Sequence, residues 1–298
     1  MHEYACGKLL PEWLSIRPAS TERYGEIKAE IASQDLHTVC VEAHCPNITE
    51  CWSGGTATFM VLGDLCTRGC RFCAVGKSAK GLAVDKMEPK KLASVIKKWG
   101  LGYVVITSVC RDDLEDQGAG HFAKCIAEIK TESPRTLVEV LIPDFKGDTG
   151  CLNIIADARP DVIGHNIETV RRLTQNVRDR RADYDQSLRV LAHFKNVDSG
   201  IYTKSAMMLG MGESEEEVMQ AMDDLRSVGV DFLAMGQYLS PGKHNIDVKE
   251  YIRPETFSRF RLKALEKGFR YVAAGPFVRS SYKAGEFFIG SVIRNMQG

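Results

Sequence analysis

The chain has 298 residues, of which 44% are apolar and 26% are charged, and its 39 basic residues balance its 39 acidic residues. This composition is typical of a globular protein, and the zero net charge does not favour a nucleic-acid partner. No apolar run approaches the ~20 residues that a membrane helix needs, so no membrane partner is predicted. The N-terminus lacks the pattern of a signal peptide or a presequence, and we expect a cytoplasmic protein.

Residues 1–55 contain one helical stretch, about Thr21–Ser33, and we interpret them as an N-terminal extension. From about residue 56 short β-rich stretches alternate with helical patterns. The predicted strands cover residues 58–65, 103–109, 137–142, 162–166, 204–209, 232–236 and 271–274. The predicted helices lie near residues 89–99, 119–131, 149–158, 182–195, 214–228 and 255–267.

This alternation predicts βαβ units and a parallel sheet, because apolar strands of this kind are buried on both faces. Six or seven such units favour an α/β fold with a partial (β/α)6 TIM-type barrel over residues 56–276. Residues 277–298 are a C-terminal segment that ends in a predicted helix. In such barrels the active site lies at the carboxyl ends of the strands.

Three cysteines in the run Cys66-Thr-Arg-Gly-Cys70-Arg-Phe-Cys73 carry the strongest chemical signal of the chain. The spacing is C-x3-C-x2-C, directly after the first predicted barrel strand. Three thiolates on one loop can hold three corners of a cubane iron–sulfur cluster and leave the fourth iron open for a ligand. A structural zinc site would normally have a fourth Cys or His.

A second triplet lies upstream, at Cys40, Cys45 and Cys51, with the spacing C-x4-C-x5-C. It also lacks an obvious fourth cysteine, and chance clustering explains the two groups poorly. The main alternative is a pair of zinc sites, with His44 as a candidate additional ligand.

Both triplets, together with Arg279-Ser280-Ser281-Tyr282, resemble the lipoyl synthases of the radical S-adenosylmethionine (SAM) superfamily. The C-x3-C-x2-C spacing alone indicates only the superfamily, whereas the upstream triplet and the Arg-Ser-Ser-Tyr sequence are much more specific. Similar segments cover residues 107–114, 139–145, 165–170 and 236–241. Gln117 stands where the family commonly has Gly and Arg180 where Pro is common, and both departures lie outside the cysteine ligands.

The resemblance implies two [4Fe–4S] clusters with separate roles. Cys66, Cys70 and Cys73 would hold the cluster whose open iron binds SAM, and one electron passed to the sulfonium would give a 5′-deoxyadenosyl radical. Cys40, Cys45 and Cys51 would hold an auxiliary cluster, with Ser281, favoured over Ser280, as its fourth ligand. Without the upstream triplet, two adjacent serines would be interpreted as turn or helix caps.

By the same resemblance, the auxiliary cluster is the source of the sulfur inserted at C6 and C8 of a protein-bound octanoyl chain. Candidate contacts with SAM lie in the cysteine loop, at strand ends and in a basic run: Phe72, Thr107, Ser108, Asn166, Glu168 and Arg178. Each residue type also has an ordinary role, as a core aromatic, a capping hydroxyl, a helix-starting carboxylate or a solvated cation.

The implied substrate is an octanoylated carrier domain, such as a glycine-cleavage H protein or the lipoyl domain of a 2-oxo-acid dehydrogenase. We also expect a reductase or ferredoxin-type electron donor, and an iron–sulfur carrier that repairs the auxiliary cluster. Two alternatives stay open: another sulfur-inserting radical enzyme of the biotin-synthase or methylthiotransferase type, and a zinc-stabilised binding module.

Overall fold

The computed structural model describes residues 10–14, 22–42, 45, 47–48, 51 and 58–281. Its contacts divide the chain into two compact bodies. The first body comprises Met1–Arg17, Gly69–Ala74 and Gly164–Ile289. The second body comprises Pro18–Arg68, Val75–Ile163 and Gly290–Gly298.

The second body contains parallel strands that alternate with helices. Its strands are β1 (His37–Thr38), β2 (Thr58–Val61), β3 (Leu65–Cys66), β4 (Gly76–Lys77), β5 (Tyr103–Ser108), β6 (Leu137–Leu141) and the start of β7 (Val162–Gly164). Its helices are α1 (Glu22–Ser33), α2 (Val39–Glu42), α3 (Glu88–Trp99), α4 (Ala119–Glu132) and α5 (Thr149–Asp157).

Register in this body places the end of β2 beside the end of β5. β2 pairs in parallel with β5 so that Val61 lies opposite Ser108, and β5 pairs in parallel with β6 so that Thr107 lies opposite Leu141. The central residues of β5 are buried, as expected for a strand covered on both faces. β1 adds to β2 in antiparallel orientation, and β3 and β4 form a separate parallel pair.

The first body repeats the same alternation. Its helices are α6 (Thr174–Val177), α7 (Tyr184–Val197), α8 (Glu215–Ser227) and α9 (Pro254–Glu266), and its strands are β8 (Tyr202–Leu209), β9 (Phe232–Gln237) and β10 (Tyr271–Gly275). β9 pairs in parallel with both β8 and β10. Helix α8 begins with a capping box, because the Ser214 hydroxyl and the Glu217 carboxylate each accept from the other residue's backbone N–H.

The structure corrects the carboxyl ends of two predicted strands. The strand predicted for residues 58–65 ends at Val61, because Leu62 has the left-handed φ of 70° and turns the chain. The strand predicted for residues 162–166 ends at Gly164, which leaves Asn166 in a loop. The predicted C-terminal helix lies outside the described residues, and the division at residues 55 and 276 stays a prediction.

Within the part of the chain that the structure describes, we find no helix with the length and apolar content required to span a bilayer.

Gly236 in the middle of the β8–β9–β10 sheet gives a test of this packing. A Cβ at this position would collide with the backbone oxygen of Val278. We expect Gly236→Ala to lower the free energy of unfolding by about 1–3 kcal/mol, as overpacking does. Gly25 in α1 is the matched control, because a Cβ there has no neighbour within 4 Å among the described residues.

Gly25→Ala should raise the free energy of unfolding by about 0.5–1 kcal/mol, because alanine favours a helix. Denaturant unfolding of both variants measures the difference. Equal stability of the two variants would contradict the described position of Val278.

Candidate iron–sulfur and cofactor site

Cys66 ends β3 in the second body and is surrounded by hydrogen-bond donors. The backbone N–H of Arg68 donates to the Cys66 sulfur at 3.4 Å, and the Ser78 N–H donates to the Cys66 carbonyl at 3.0 Å. A side-chain hydrogen bond with Cys110, opposed by burial, lowers the pKa of Cys66 to about 6. The same bond, together with burial, raises the pKa of Cys110.

Arg68 lies between Cys66 and Cys70 and forms two forked ion pairs. Its Nε and Nη2 atoms donate to the two different carboxylate oxygens of Asp112, both at 2.9 Å. Its Nη1 and Nη2 atoms lie 2.7 Å from the two different carboxylate oxygens of Asp144. The side chains of Arg68, Asp112 and Asp144 are 3%, 8% and 0% exposed. Burial alone would lower the pKa of Arg68, but the two carboxylates raise it, so the guanidinium stays charged.

Cys70 and Cys73 belong to the first body, where two loops hold the chain around them. The Asp179 N–H donates to the Cys70 sulfur at 3.3 Å, and the Asp179 carboxylate accepts from the Gly69 N–H at 2.7 Å. Hydrogen bonds from Arg181 hold the pKa of Asp179 well below its usual range. The Asn245 side-chain amide donates to the carbonyls of Arg71 and Cys73 at 3.0 and 3.1 Å.

Asp179 and Asn245 were not predicted to belong to this site. Asp179 lies in the basic run, where its sign differs from its neighbours, and Asn245 lies in a polar turn after β9. Neither signal is specific, because both residue types are common in turns.

The upstream triplet lies in the second body around α2. Cys40 and Cys51 are buried, and Cys45 is half-buried. The Cys45 N–H donates to the Cys40 carbonyl at 3.0 Å, and the Cys51 N–H donates to the Asn47 carbonyl at 2.9 Å. The other candidate ligand, His44, lies outside the described residues.

The spacing of ligand atoms bears on the zinc alternative. Among the residues that can be described, the group of three ligand atoms within 4.8 Å of one another belongs to His37, Glu42 and Asp64, and not to the upstream cysteines. Thiolates that share one tetrahedral zinc ion lie about 4 Å apart. That the upstream triplet holds an iron–sulfur cluster stays a prediction from the family resemblance.

The segment after β10 leads to the Arg-Ser-Ser-Tyr sequence in the first body. The Val278 N–H donates to the Gly275 carbonyl at 3.1 Å, and Arg279 Nη1 donates to the Val278 carbonyl at 2.8 Å. Ser280 and Ser281 are half-buried in the turn that follows, and Tyr282 lies outside the described residues. The role of Ser281 as a cluster ligand stays a prediction.

Thr107 and Ser108 end β5 in the second body and differ in their bonding. The Thr107 hydroxyl donates to the Leu141 carbonyl at 2.8 Å and joins β5 to β6. The Ser108 hydroxyl is buried and has no partner among the described residues. Because an unpaired buried hydroxyl is unfavourable, Ser108 is the better candidate to bind a ligand.

Three further candidates lie after β7 and in the basic run of the first body. Asn166 donates to the Glu168 carboxylate at 3.2 Å, and Glu168 has the left-handed φ of 66°. Burial raises the pKa of Glu168 against the opposite effects of Arg178 and Asn166. Arg178 is buried and donates to the Ser187 hydroxyl at 2.8 Å, unlike the exposed Arg171, which pairs with acidic residues on the surface.

Phe72 is half-buried against the hydrophobic core of the first body, which agrees with its ordinary role as a core aromatic. Its predicted contact with adenine is not tested by this packing. The same holds for the SAM contacts predicted for Thr107, Ser108, Asn166, Glu168 and Arg178.

Comparison with known proteins places the chain in a class. A sequence profile of the Radical SAM superfamily matches residues 60–225. A solved structure of the FeFe-hydrogenase maturase HydG from Carboxydothermus hydrogenoformans aligns with a TM-score of 0.53 at 13% identity, and covers 93% of this chain and 78% of its own. The chain thus has the radical SAM fold, and the predicted α/β partial barrel is confirmed.

Closer relatives identify the family. A lipoyl synthase of Halobacterium salinarum (strain ATCC 29341 / DSM 671 / R1) is 54% identical over 95% of this chain and 92% of its own length. A lipoyl synthase of Myxococcus xanthus (strain DK1622) is 53% identical over 94% of this chain and 93% of its own length. The chain belongs to the lipoyl synthase family.

We expect that removing the two hydroxyls at the end of β5 has opposite effects on the free energy of unfolding. Thr107→Val should lower the free energy of unfolding by about 1 kcal/mol, because it removes the hydrogen bond to Leu141. Ser108→Ala should leave it unchanged or raise it by up to about 1 kcal/mol, because it removes an unpaired buried hydroxyl. Urea unfolding of the metal-free protein measures both, and a larger loss for Ser108→Ala would show that its hydroxyl has a protein partner.

Proposed function

We propose that this chain is a sulfurtransferase that inserts sulfur at C6 and C8 of a protein-bound octanoyl group and so forms the lipoyl cofactor. The observation that carries the proposal is the presence of two separate cysteine triplets in a chain of the lipoyl synthase family. Cys66 and Cys70 each accept a backbone N–H on sulfur, as cluster ligands commonly do.

The cofactors are SAM and two [4Fe–4S] clusters. Cys66, Cys70 and Cys73 would hold the cluster that binds SAM, and Cys40, Cys45, Cys51 and Ser281 would hold the auxiliary cluster. When bound, the first cluster and SAM supply the electron and the carbon radical that removes hydrogen from C6 and C8, and the auxiliary cluster supplies sulfur.

The local chemistry of the residues supports both assignments. Soft thiolates on short loops are the donors that iron–sulfur clusters require. The Arg68 N–H donates to the Cys66 sulfur and would stabilise negative charge on that sulfur when it binds iron.

In this proposal the remaining candidates orient SAM. The unpaired hydroxyl of Ser108 donates to the methionyl end, and Phe72 provides a surface for adenine. Glu168, held by Asn166, accepts from a ribose hydroxyl or the amino group, and Arg178 binds the carboxylate.

The substrate is an octanoylated protein, which we propose to be an H protein of glycine cleavage or a lipoyl domain of a 2-oxo-acid dehydrogenase. A reductase or ferredoxin-type protein supplies electrons, and an iron–sulfur carrier rebuilds the auxiliary cluster after each turnover. The cytoplasm is the proposed location, because a reducing compartment keeps thiolate ligands available.

Metal analysis of anaerobically purified protein tests the proposal first. About eight irons and eight sulfides per chain, with brown absorbance, are expected for two cubane clusters. About two zinc ions per chain and no colour would overturn the radical mechanism in favour of the zinc-stabilised module.

Paired cysteine variants separate the two cluster roles. Cys40→Ala should abolish sulfur insertion into an octanoyl-lysine peptide and retain SAM cleavage, because the cofactor loop is intact. Cys70→Ala should abolish both reactions. Liquid chromatography with mass spectrometry quantifies 5′-deoxyadenosine and the lipoyl product, and full lipoyl formation by Cys40→Ala would refute the auxiliary-cluster assignment.

A further inference from the structure

The tripeptide Arg111-Asp112-Asp113 follows β5 and has no assigned part in the reaction. Each of its side chains forms a hydrogen bond with a residue of the segment around Cys66, which is distant in sequence from the tripeptide. Asp112 bonds to Arg68, Arg111 to Leu62, and Asp113 to Gly81. All these residues belong to the second body.

Asp112 fixes the chain directly after Cys66. Besides its two bonds to the Arg68 guanidinium, its backbone N–H donates to the Thr67 hydroxyl at 3.0 Å. The Thr67 N–H and hydroxyl donate in turn to the Cys110 carbonyl at 3.0 and 2.9 Å. The two residues that follow Cys66 therefore have few remaining degrees of freedom.

Arg111 fixes the chain before Cys66. Its Nη1 atom donates to the Leu62 carbonyl at 3.2 Å, while the Leu62 N–H donates to the buried Glu88 carboxylate at 3.0 Å. Glu88 also lies 2.6 Å from the ring of the buried His121. These bonds hold Leu62 at a φ of 70°, which a leucine adopts only when its surroundings require it.

Asp113 orients Arg111 and also forms a hydrogen bond with Gly81, which follows the three cysteines in sequence. Its carboxylate accepts from Arg111 Nε and Nη2 at 2.9 and 3.0 Å and from the Gly81 N–H at 3.2 Å. A Cβ on residue 81 would collide with the Arg111 guanidinium, so this contact needs glycine. The tripeptide thus holds the chain on both sides of Cys66.

We propose that Arg111, Asp112 and Asp113 are positioning residues that hold the Cys66 sulfur in its ligand geometry before any metal is bound. Buried charges are unfavourable unless every donor is paired, and replacing such a set with apolar residues is often neutral for stability. We therefore interpret this ion network as fixing the position of the chain around Cys66, and not as raising the free energy of unfolding. The inference rests on the proposed function only in taking Cys66 as a cluster ligand.

The test measures how well Cys66 is held in the metal-free full-length chain. Iodoacetamide alkylates accessible, mobile thiols, and peptide mass spectrometry gives the alkylation rate of Cys66 relative to that of Cys73 in the same molecule. Asp112→Asn removes the charge that holds Arg68 and keeps the size of the side chain. We expect this ratio to rise about tenfold or more, because local opening exposes the thiol.

Asp161→Asn is the matched control in the same body. Asp161 also accepts a backbone N–H, from Val138 at 2.8 Å, and pairs with Lys130 at 3.1 Å, but it bonds to nothing near Cys66. Asp161→Asn should leave the alkylation rate of Cys66 relative to Cys73 unchanged. This holds even if Asp161→Asn lowers the melting temperature as much as Asp112→Asn does. Equal ratios in the two variants would refute the positioning role.

Two other variants keep the test decisive if Asp112→Asn does not fold. Asp113→Asn removes the charge that orients Arg111, and Arg68→Lys keeps the charge at residue 68 but loses the fork to Asp112. Both should raise the ratio above that of the unmodified chain, and a ratio unchanged in both would overturn the proposal.

After cluster reconstitution, misplacement of Cys66 should also lower the rate of SAM cleavage by about 100-fold in Asp112→Asn, as a small misplacement of reacting groups does. The alkylation readout requires neither iron nor substrate. A failure of octanoyl turnover in the unmodified chain therefore contradicts the proposed function without deciding the positioning role.

Discussion

The double ion pair of Arg68 is the interaction on which the placement of Cys66, the first predicted cluster ligand, depends. A guanidinium this far from water is unfavourable unless its donors are satisfied, and here Asp112 and Asp144 bind it as two forks. Forked pairs fix the plane of the guanidinium as well as its distance. Since Arg68 is two residues from Cys66, fixing its guanidinium also restricts the backbone of the loop that carries Cys66.

Among the described residues, backbone N–H groups, and not exposed cations, are the donors that contact the sulfurs of Cys66 and Cys70. Cys66 accepts from the Arg68 N–H and bonds to the Cys110 thiol, and Cys70 accepts from the Asp179 N–H. Asp179 is itself held by the Gly69 N–H and by Arg181. This arrangement agrees with a chain that has no net charge, because backbone dipoles supply the positive ends that face sulfur.

Backbone strain accompanies three of the residues described above. Leu62, Gln117 and Glu168 all have positive φ. Each also forms a hydrogen bond with a residue distant in sequence: Leu62 with Glu88, Gln117 with Phe145 and Glu168 with Ala206. The Gln117 side-chain amide donates to the Phe145 carbonyl at 3.0 Å while its own oxygen is buried without a described partner. Glycine would adopt the φ of 52° found at Gln117 without strain, which agrees with the glycine expected here from the family resemblance. Residues in such conformations tend to cluster at functional sites.

The sequence alone determined the features that depend on neighbours in the chain. Apolar runs located β2 and β5 to β10 but not the two-residue strands β1, β3 and β4, and the two cysteine spacings indicated iron–sulfur clusters. These signals are local, because periodicity and ligand spacing act over a few residues.

Only the tertiary structure decided which residues hold those cysteines. Arg68 and Asp144 are separated by 76 positions, and Asn245 and Cys73 by 172. The end of β2 at Val61 likewise depends on Glu88 and Arg111, which come from a later helix and loop. Propensity does not encode such pairs, since the fold creates them by bringing strand ends together, and polar residues in turns look alike until their partners are known.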